Sequence, residues 1–145
     1  MSLIYFKATN FRVFQDLEID LHPKYNLIYG DNASGKTSLL EAIAYLGRGR
    51  SFREQNTKGL VKHDTTDFLL FGKTISLQKT HKLGLTNGFG GLAVSVNGDH
   101  KGGLESLARG LPLQVIDPNI HNLVAGSPEE RQKFLDWVVF HVEPS

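Results

Sequence analysis

Apolar and polar positions open the chain in strand-like order. "LIYFKATNFRVF" (3–14) and "LEIDL" (17–21) combine β-branched and aromatic residues with partial alternation, which predicts two strands. "HPK" (22–24) predicts a turn and "YNLIY" (25–29) a third strand, so the opening reads as a β meander. Past a glycine-bracketed loop, Leu39, Leu40, Ile43 and Leu46 recur at helical spacing, predicting a helix from about Lys36 that Gly47 and Gly49 end. "DFLLFGKTISLQK" (67–79), "HKLGLT" (81–86) and "LAVSVNG" (92–98) predict three further strands, antiparallel, with Asn87-Gly88 and Asn97-Gly98 in tight turns. "LPLQVI" (111–116) predicts one more strand, "PNIHNLV" (118–124) a short helix opened by proline, and "SPEERQKFLDWVVFH" (127–141) a longer helix. Ser127 as cap, Pro128 at the first helical position and Glu130 three after the cap give that last helix its start signal. Trp137, with Phe134, Val138 and His141 at helical spacing, predicts core packing there rather than a base-stacking platform. No internal repeat or low-complexity linker interrupts the pattern.

At 145 residues and 40% hydrophobic content, the chain fits one domain with a sizeable core. The absence of cysteine excludes disulfides, thiolate metal sites and cysteine nucleophiles. The N-terminus is too polar for a signal peptide and no apolar run approaches the ~20 residues of a membrane span, so a soluble, cytoplasmic protein without a membrane partner is expected. Net charge is only +1, yet residues 48–82 hold eight Lys or Arg against three acids. Such a stretch can contact nucleic-acid phosphates, although a solvated face is the simpler reading of charge alone. The six histidines show no HExxH spacing and no GxSxG elbow occurs, which removes zinc-protease and serine-hydrolase chemistry from the leading readings.

The strongest chemical signal is "GDNASGKT", in which Gly30, Gly35, Lys36 and Thr37 fit the pattern GxxxxGK followed by Ser or Thr, between a predicted strand and a predicted helix. Each part answers a negative charge. Small residues let backbone N–H groups curl around a phosphate, the helix N-terminus adds its positive end, Lys36 reaches the outer phosphates and the Thr37 hydroxyl suits Mg2+. Hydrolysis needs more: an acid at another strand end to hold Mg2+ and a group to position water. Asp117, ending "LQVID", is a candidate for that acid, but Gln114 interrupts the apolar run and Pro118 follows where a catalytic glutamate would serve. "LTNGFGGL" lacks a signature-type serine and reads as a hairpin turn, and "DHKG" has no accompanying NKxD element, so GTP specificity finds no support.

"FKATNFRVFQDLEIDL", "NLIYGDNASGKTSLLEAIAYLGRGRSFR", "PLQVIDPNIHNLVAGSPEERQKFLDW" and "FHVEP" resemble, in order and spacing, successive blocks of the RecF family of bacterial recombinational-repair ATPases. The first blocks would suit any ABC-type ATPase of the chromosome-maintenance (SMC) group; "LGRGRSFR" and "SPEERQKFLDW" with "FHVEP" are more particular. The resemblance covers residues 3–144. It implies an α/β fold, a P-loop NTPase of the ABC-type ATPase head, N-terminal portion, with an antiparallel β subdomain and the start of a helical arm. It also implies a weak DNA-dependent ATPase that binds ATP and Mg2+ and forms a nucleotide-dependent homodimer. Such a protein binds double-stranded DNA and single/double-strand junctions, and with RecR helps load recombinase at gaps, in DNA repair, replication and the SOS response.

Carried onto this chain, the resemblance puts the phosphate cradle on Gly30, Asp31, Asn32, Ala33, Ser34, Gly35 and Lys36, with Thr37 on Mg2+ and Ser38 beside the α-phosphate. It brings Arg12, in the turn "NFRVF", near base or phosphates, and Asp117 or Gln114 to the Q-loop position near Mg2+. It gives Arg48, Arg50 and Arg53 a DNA-phosphate role. The signature loop and true Walker B strand of related heads lie beyond a chain like this. Residues 1–145 are therefore expected to be the N-terminal part of a longer protein, holding no catalytic residue and unable to turn nucleotide over alone. An apolar surface should be exposed where further strands pack. Another SMC-type head, a small-molecule P-loop kinase and a nucleotide-gated interaction module are the alternatives. The long meander before the P-loop speaks against the kinase.

Overall fold

The computed structural model describes residues 1–54 and 56–116, together with Pro128, Gln132, Leu135, Asp136 and Val139. The chain divides into two units, Met1–Leu113 and Gln114–Ser145. In the first unit, β1 (Ser2–Phe11), β2 (Phe14–Asp20), β3 (Asp67–Ser76), β4 (Lys79–Gly88) and β5 (Gly91–Val96) form one sheet in the order β2-β1-β3-β4-β5. Every neighbouring pair is antiparallel, as predicted.

The alternation in the sequence sets the faces of this sheet. Phe6 pairs with Ile19 and Gly72, Ala8 with Leu17 and Leu70, and Leu85 with Leu70 and Val94, so one face is apolar along all five strands. Helices α1 (Lys36–Arg48) and α2 (Gly103–Gly110) pack against it and against each other. At the centre Phe68 stands edge-on to Phe11 and Tyr45, with ring centroids 5.1 and 5.4 Å away. The Tyr45 hydroxyl accepts a 2.8 Å hydrogen bond from the Asn87 amide, so the polar tip of this core tyrosine is satisfied. Buried Thr74 donates to the Gly110 carbonyl at 3.1 Å, pinning the end of α2 to β3.

Several elements depart from the sequence expectation. The predicted first strand breaks at Arg12 and Val13, which turn the chain from β1 into β2. Residues 25–29 belong to no ladder, and Tyr25, Leu27 and Tyr29 are 78%, 83% and 85% exposed. Their apolar pattern is one of burial, and none of the described residues covers it. The predicted strand 111–116 is irregular because Leu111 and Leu113 instead close over Gly47 at the end of α1. The β4–β5 turn is made by Phe89 and Gly90 rather than by Asn87-Gly88, since Gly88 still pairs with Gly91. Asn97 and Gly98 do form a tight turn, both at positive φ. Helix α2 was not anticipated, although Leu104 and Leu107 lie three apart and Glu105 and Arg109 form an i,i+4 pair. On α1 the buried face is Ala42, Tyr45 and Leu46 with Leu39 and Ile43 at its margin, while Leu40 is exposed.

In the second unit, residues 114–116 are irregular and Pro128, Gln132, Leu135, Asp136 and Val139 are helical, in keeping with the predicted longer helix. The predicted helix at 118–124, its neighbour Asp117, and the Trp137 group lie outside the described residues.

The predicted strand 67–79 ends at Ser76, and Leu77 with Gln78, at φ 47° and 64°, makes the two-residue turn into β4, a type I′-like turn built from residues poorly suited to it. Leu77 is also almost wholly exposed. Replacing the pair by Asn-Gly is expected to raise unfolding stability by about 1–2 kcal/mol through relief of two left-handed residues. Chemical denaturation with an unchanged m-value checks this; an unchanged midpoint would show that the turn stores no such strain.

Candidate functional site

Between segment 25–29 and α1, residues 30–35 form an exposed loop with Gly30 at φ 148°, Ala33 at 64° and Gly35 at 95°. Gly35 is irreplaceable on two counts. Its φ is left-handed, and a Cβ there would lie 3.1 Å from the Phe14 ring and 3.3 Å from Val13. The turn that follows β1 thus packs directly under the loop. Gly35 also caps α1 without any side-chain hydrogen bond, so no side chain competes for the helix's first N–H groups.

The Lys36 ammonium donates to the Gly30 carbonyl at 2.8 Å and the Asp31 carbonyl at 2.6 Å, bridging the loop across its mouth. The Ser34 amide donates to the Asp31 carbonyl at 3.3 Å, which tightens the curl. Thr37 is exposed and Ser38 half-buried in the first turn of α1. A ring of backbone around a lysine, at the positive end of a helix, suits a polyphosphate. Glycines 30 and 35, Lys36, Thr37 and Ser38 therefore stand together as the sequence pattern predicts.

Arg12 lies beside this loop but its side chain is engaged. Its guanidinium forks onto Glu41 of α1, Nε to Oε2 at 3.0 Å and Nη2 to Oε1 at 2.9 Å, while its backbone N–H donates to the Leu60 carbonyl at 2.8 Å. Glu41 is wholly buried; it also accepts a short hydrogen bond from the Ser51 hydroxyl, and Arg53 Nη1 lies 3.7 Å from Oε2. Ser51 Oγ in turn accepts from the Arg53 and Glu54 amides, both at 2.9 Å, so the carboxylate organises a turn as well as two arginines. Sequence reasoning missed Glu41. The available signal was a carboxylate placed next to Ala42, one helical turn after Thr37 and one before Tyr45.

The predicted arginine triad divides. Arg53 leans loosely on Glu41, whereas the side chains of Arg48 and Arg50 form no hydrogen bond or ion pair among the described residues. Burial, and then the charge of Arg50, push the Arg48 pKa below the usual arginine value, the mark of a cation lacking a counter-charge. Gln114 is exposed, donating to the Val115 carbonyl at 3.2 Å, and belongs to the second unit; Asp117 lies outside the described residues.

A glycine loop opening a helix in this way, beside an antiparallel sheet, defines the P-loop class of ATPase folds. Residues 7–101 match the family described as AAA domain, and the chain belongs to that family. Over nearly its whole length it is similar to proteins named DNA replication and repair protein RecF. It is 39% identical to the one from Marinobacter nauticus, covering 100% of this chain and 42% of that protein. It is 40% identical to the one from Psychromonas ingrahamii, covering 99% and 40%, and 41% identical to the one from Haemophilus ducreyi, covering 97% and 39%. A solved structure of the recombination mediator protein RecF with ATP superposes with a TM-score of 0.86 at 29% identity, over 97% of this chain and 39% of that one. Its counterpart titled RecF-ATPrS gives 0.84 at 30% identity. The resemblance to RecF read from the sequence is thus borne out, and the chain spans about two fifths of the length of these relatives.

Removing one member of the buried pair leaves the other uncompensated, which typically costs ~3–5 kcal/mol. Because the Arg12 side chain keeps 21% of its exposure and can be partly rehydrated, Glu41→Ala is expected at the lower end, about 3 kcal/mol. Urea unfolding of the variant measures this; a loss below about 1 kcal/mol would place the pair with ordinary surface salt bridges.

Proposed function

We propose that this chain is the ATP-binding part of a RecF-like DNA repair and replication protein. The observation that carries the reading is the Lys36 ammonium held between the Gly30 and Asp31 carbonyls at the uncapped start of α1. The matching structure of the recombination mediator protein RecF with ATP supports it. Residues 31–36 supply backbone N–H groups to the phosphates, and Lys36 exchanges its two carbonyl partners for phosphate oxygens. Thr37 would offer its hydroxyl to Mg2+ and Ser38 its hydroxyl to the α-phosphate, both from the first turn of α1. Arg12 closes the side of the site nearest the turn after β1. A bound Mg2+–ATP supplies the phosphoryl chemistry. This chain would bind and orient it, with Asp117 or Gln114 at the Q-loop position near Mg2+, whereas turnover would draw on groups of a longer protein.

In that longer protein, nucleotide-dependent pairing of two heads, contact with double-stranded DNA and its junctions, and partnership with RecR serve recombinase loading in the cytoplasm. Similarity to DNA replication and repair protein RecF, and to the RecF of the RecFOR pathway, supports this assignment. Exposed Tyr25, Leu27 and Tyr29 are read as a strand of the core sheet that the remaining chain covers. Arg48, Arg50 and Arg53 contact DNA phosphates, a role suited to cations with weak or no acidic partners.

Lys36→Ala should weaken binding of a fluorescent ATP analogue by at least about tenfold with little change in melting temperature, since charge-assisted contacts of this kind are worth ~1.5–3 kcal/mol. Equal binding by the variant would remove the nucleotide reading. Replacing Arg48, Arg50 and Arg53 together by alanine should lower the slope of log affinity for duplex DNA against log salt by about 3. An unchanged slope would take these arginines out of the DNA contact.

A further inference from the structure

We propose that Glu41 is a positioning residue of the phosphate loop: it fixes the turn after β1 and the 51–54 turn against α1, and so sets the shape of the loop that those elements support. The carboxylate cannot touch a nucleotide, because it is wholly buried and its oxygens are taken by Arg12, Ser51 and Arg53. Its place on α1, four residues after Thr37, puts it one turn below the loop on the same side of the helix. Arg12, bound by a two-pronged fork, begins the turn whose next two residues, Val13 and Phe14, fill the space where Gly35 lacks a side chain. A shift of that turn is therefore transmitted to Gly35 and to the start of α1.

The chemistry of the pair favours geometry over stability as its role. A buried ion pair is commonly no more stabilising than apolar residues of the same size, but a planar fork fixes distance and orientation in a way apolar packing does not. Arg12 also sits in left-handed backbone, φ 53°, with its N–H tied to Leu60, so backbone and side chain together hold one conformation. Ser51 and Arg53 extend the same carboxylate's hold to the segment that follows α1, which brings the nucleotide loop and the arginine segment under one group.

The test compares Glu41→Gln, Arg12→Lys and the apolar double variant Glu41→Leu with Arg12→Met in the 145-residue chain. Readouts are melting temperature, amide hydrogen exchange of residues 30–39, and affinity for a fluorescent ATP analogue. A positioning role predicts that the double variant regains wild-type melting temperature yet keeps faster exchange at 30–39 and binds about tenfold more weakly, the scale on which supporting groups act. Glu41→Gln should show the same faster exchange, and Arg12→Lys, which keeps the charge and loses the fork, a smaller increase. Wild-type exchange at 30–39 in Glu41→Gln, or in a double variant of wild-type melting temperature, would overturn the proposal. The affinity arm rests on the ATP reading. If exchange rises as expected but the wild-type chain shows no Lys36-dependent ATP binding, the positioning role stands and the nucleotide reading falls.

Discussion

A loop that is to bind phosphate must leave most of its backbone N–H groups available, so its own hydrogen bonds, here the Ser34 amide and the Lys36 bridge, hold it only in part. The rest of its shape is imposed from outside. In this chain the constraint is met at Gly35, where the turn after β1 presses Phe14 and Val13 into the space of an absent side chain. The same turn is tethered to α1 by Arg12 and Glu41. The antiparallel sheet matters to the site chiefly through this arrangement. It fixes the end of β1, and α1 lies on its apolar face through Tyr45 and Leu46, so the loop is stretched between two elements that share one core.

What the sequence could disclose follows from how local each signal is. The glycine loop, the helix after it and the antiparallel strands were legible because their determinants are adjacent residues: Gly30 and Gly35 with Lys36, or alternation along 67–76. The turn at Leu77 and Gln78 was not, because neither residue type announces positive φ; pairing of Ser76 with Lys79 imposes it. Segment 25–29 carries a strand's pattern without a strand's ladder, since alternation reports which residues seek burial and not whether a partner is at hand. Glu41 was hidden for a related reason. A glutamate on a helix reads as solvated until Arg12, 29 positions earlier, is brought against it.

The arginines illustrate how charge in sequence and charge in space differ. Eight cations between 48 and 82 looked like one basic stretch, yet the fold distributes them. Lys73 lies over the Tyr5 ring, Arg53 shares Glu41, and Arg48 with Arg50 remain without an acid at the end of α1. Lys58, Lys62, Lys79 and Lys82 likewise show no ion pair among the described residues, so charge alone does not single out one anion-binding group.

The uncovered segment 25–29 has a further consequence. An apolar run with Tyr25, Leu27 and Tyr29 outward is open to pairing with another strand, including the same segment of a second molecule. Whatever covers the run also guards against that self-association. Lys24 before the run and Asp31 after it carry charges of opposite sign at its ends, a modest gatekeeping that a parallel, in-register stack would set like against like.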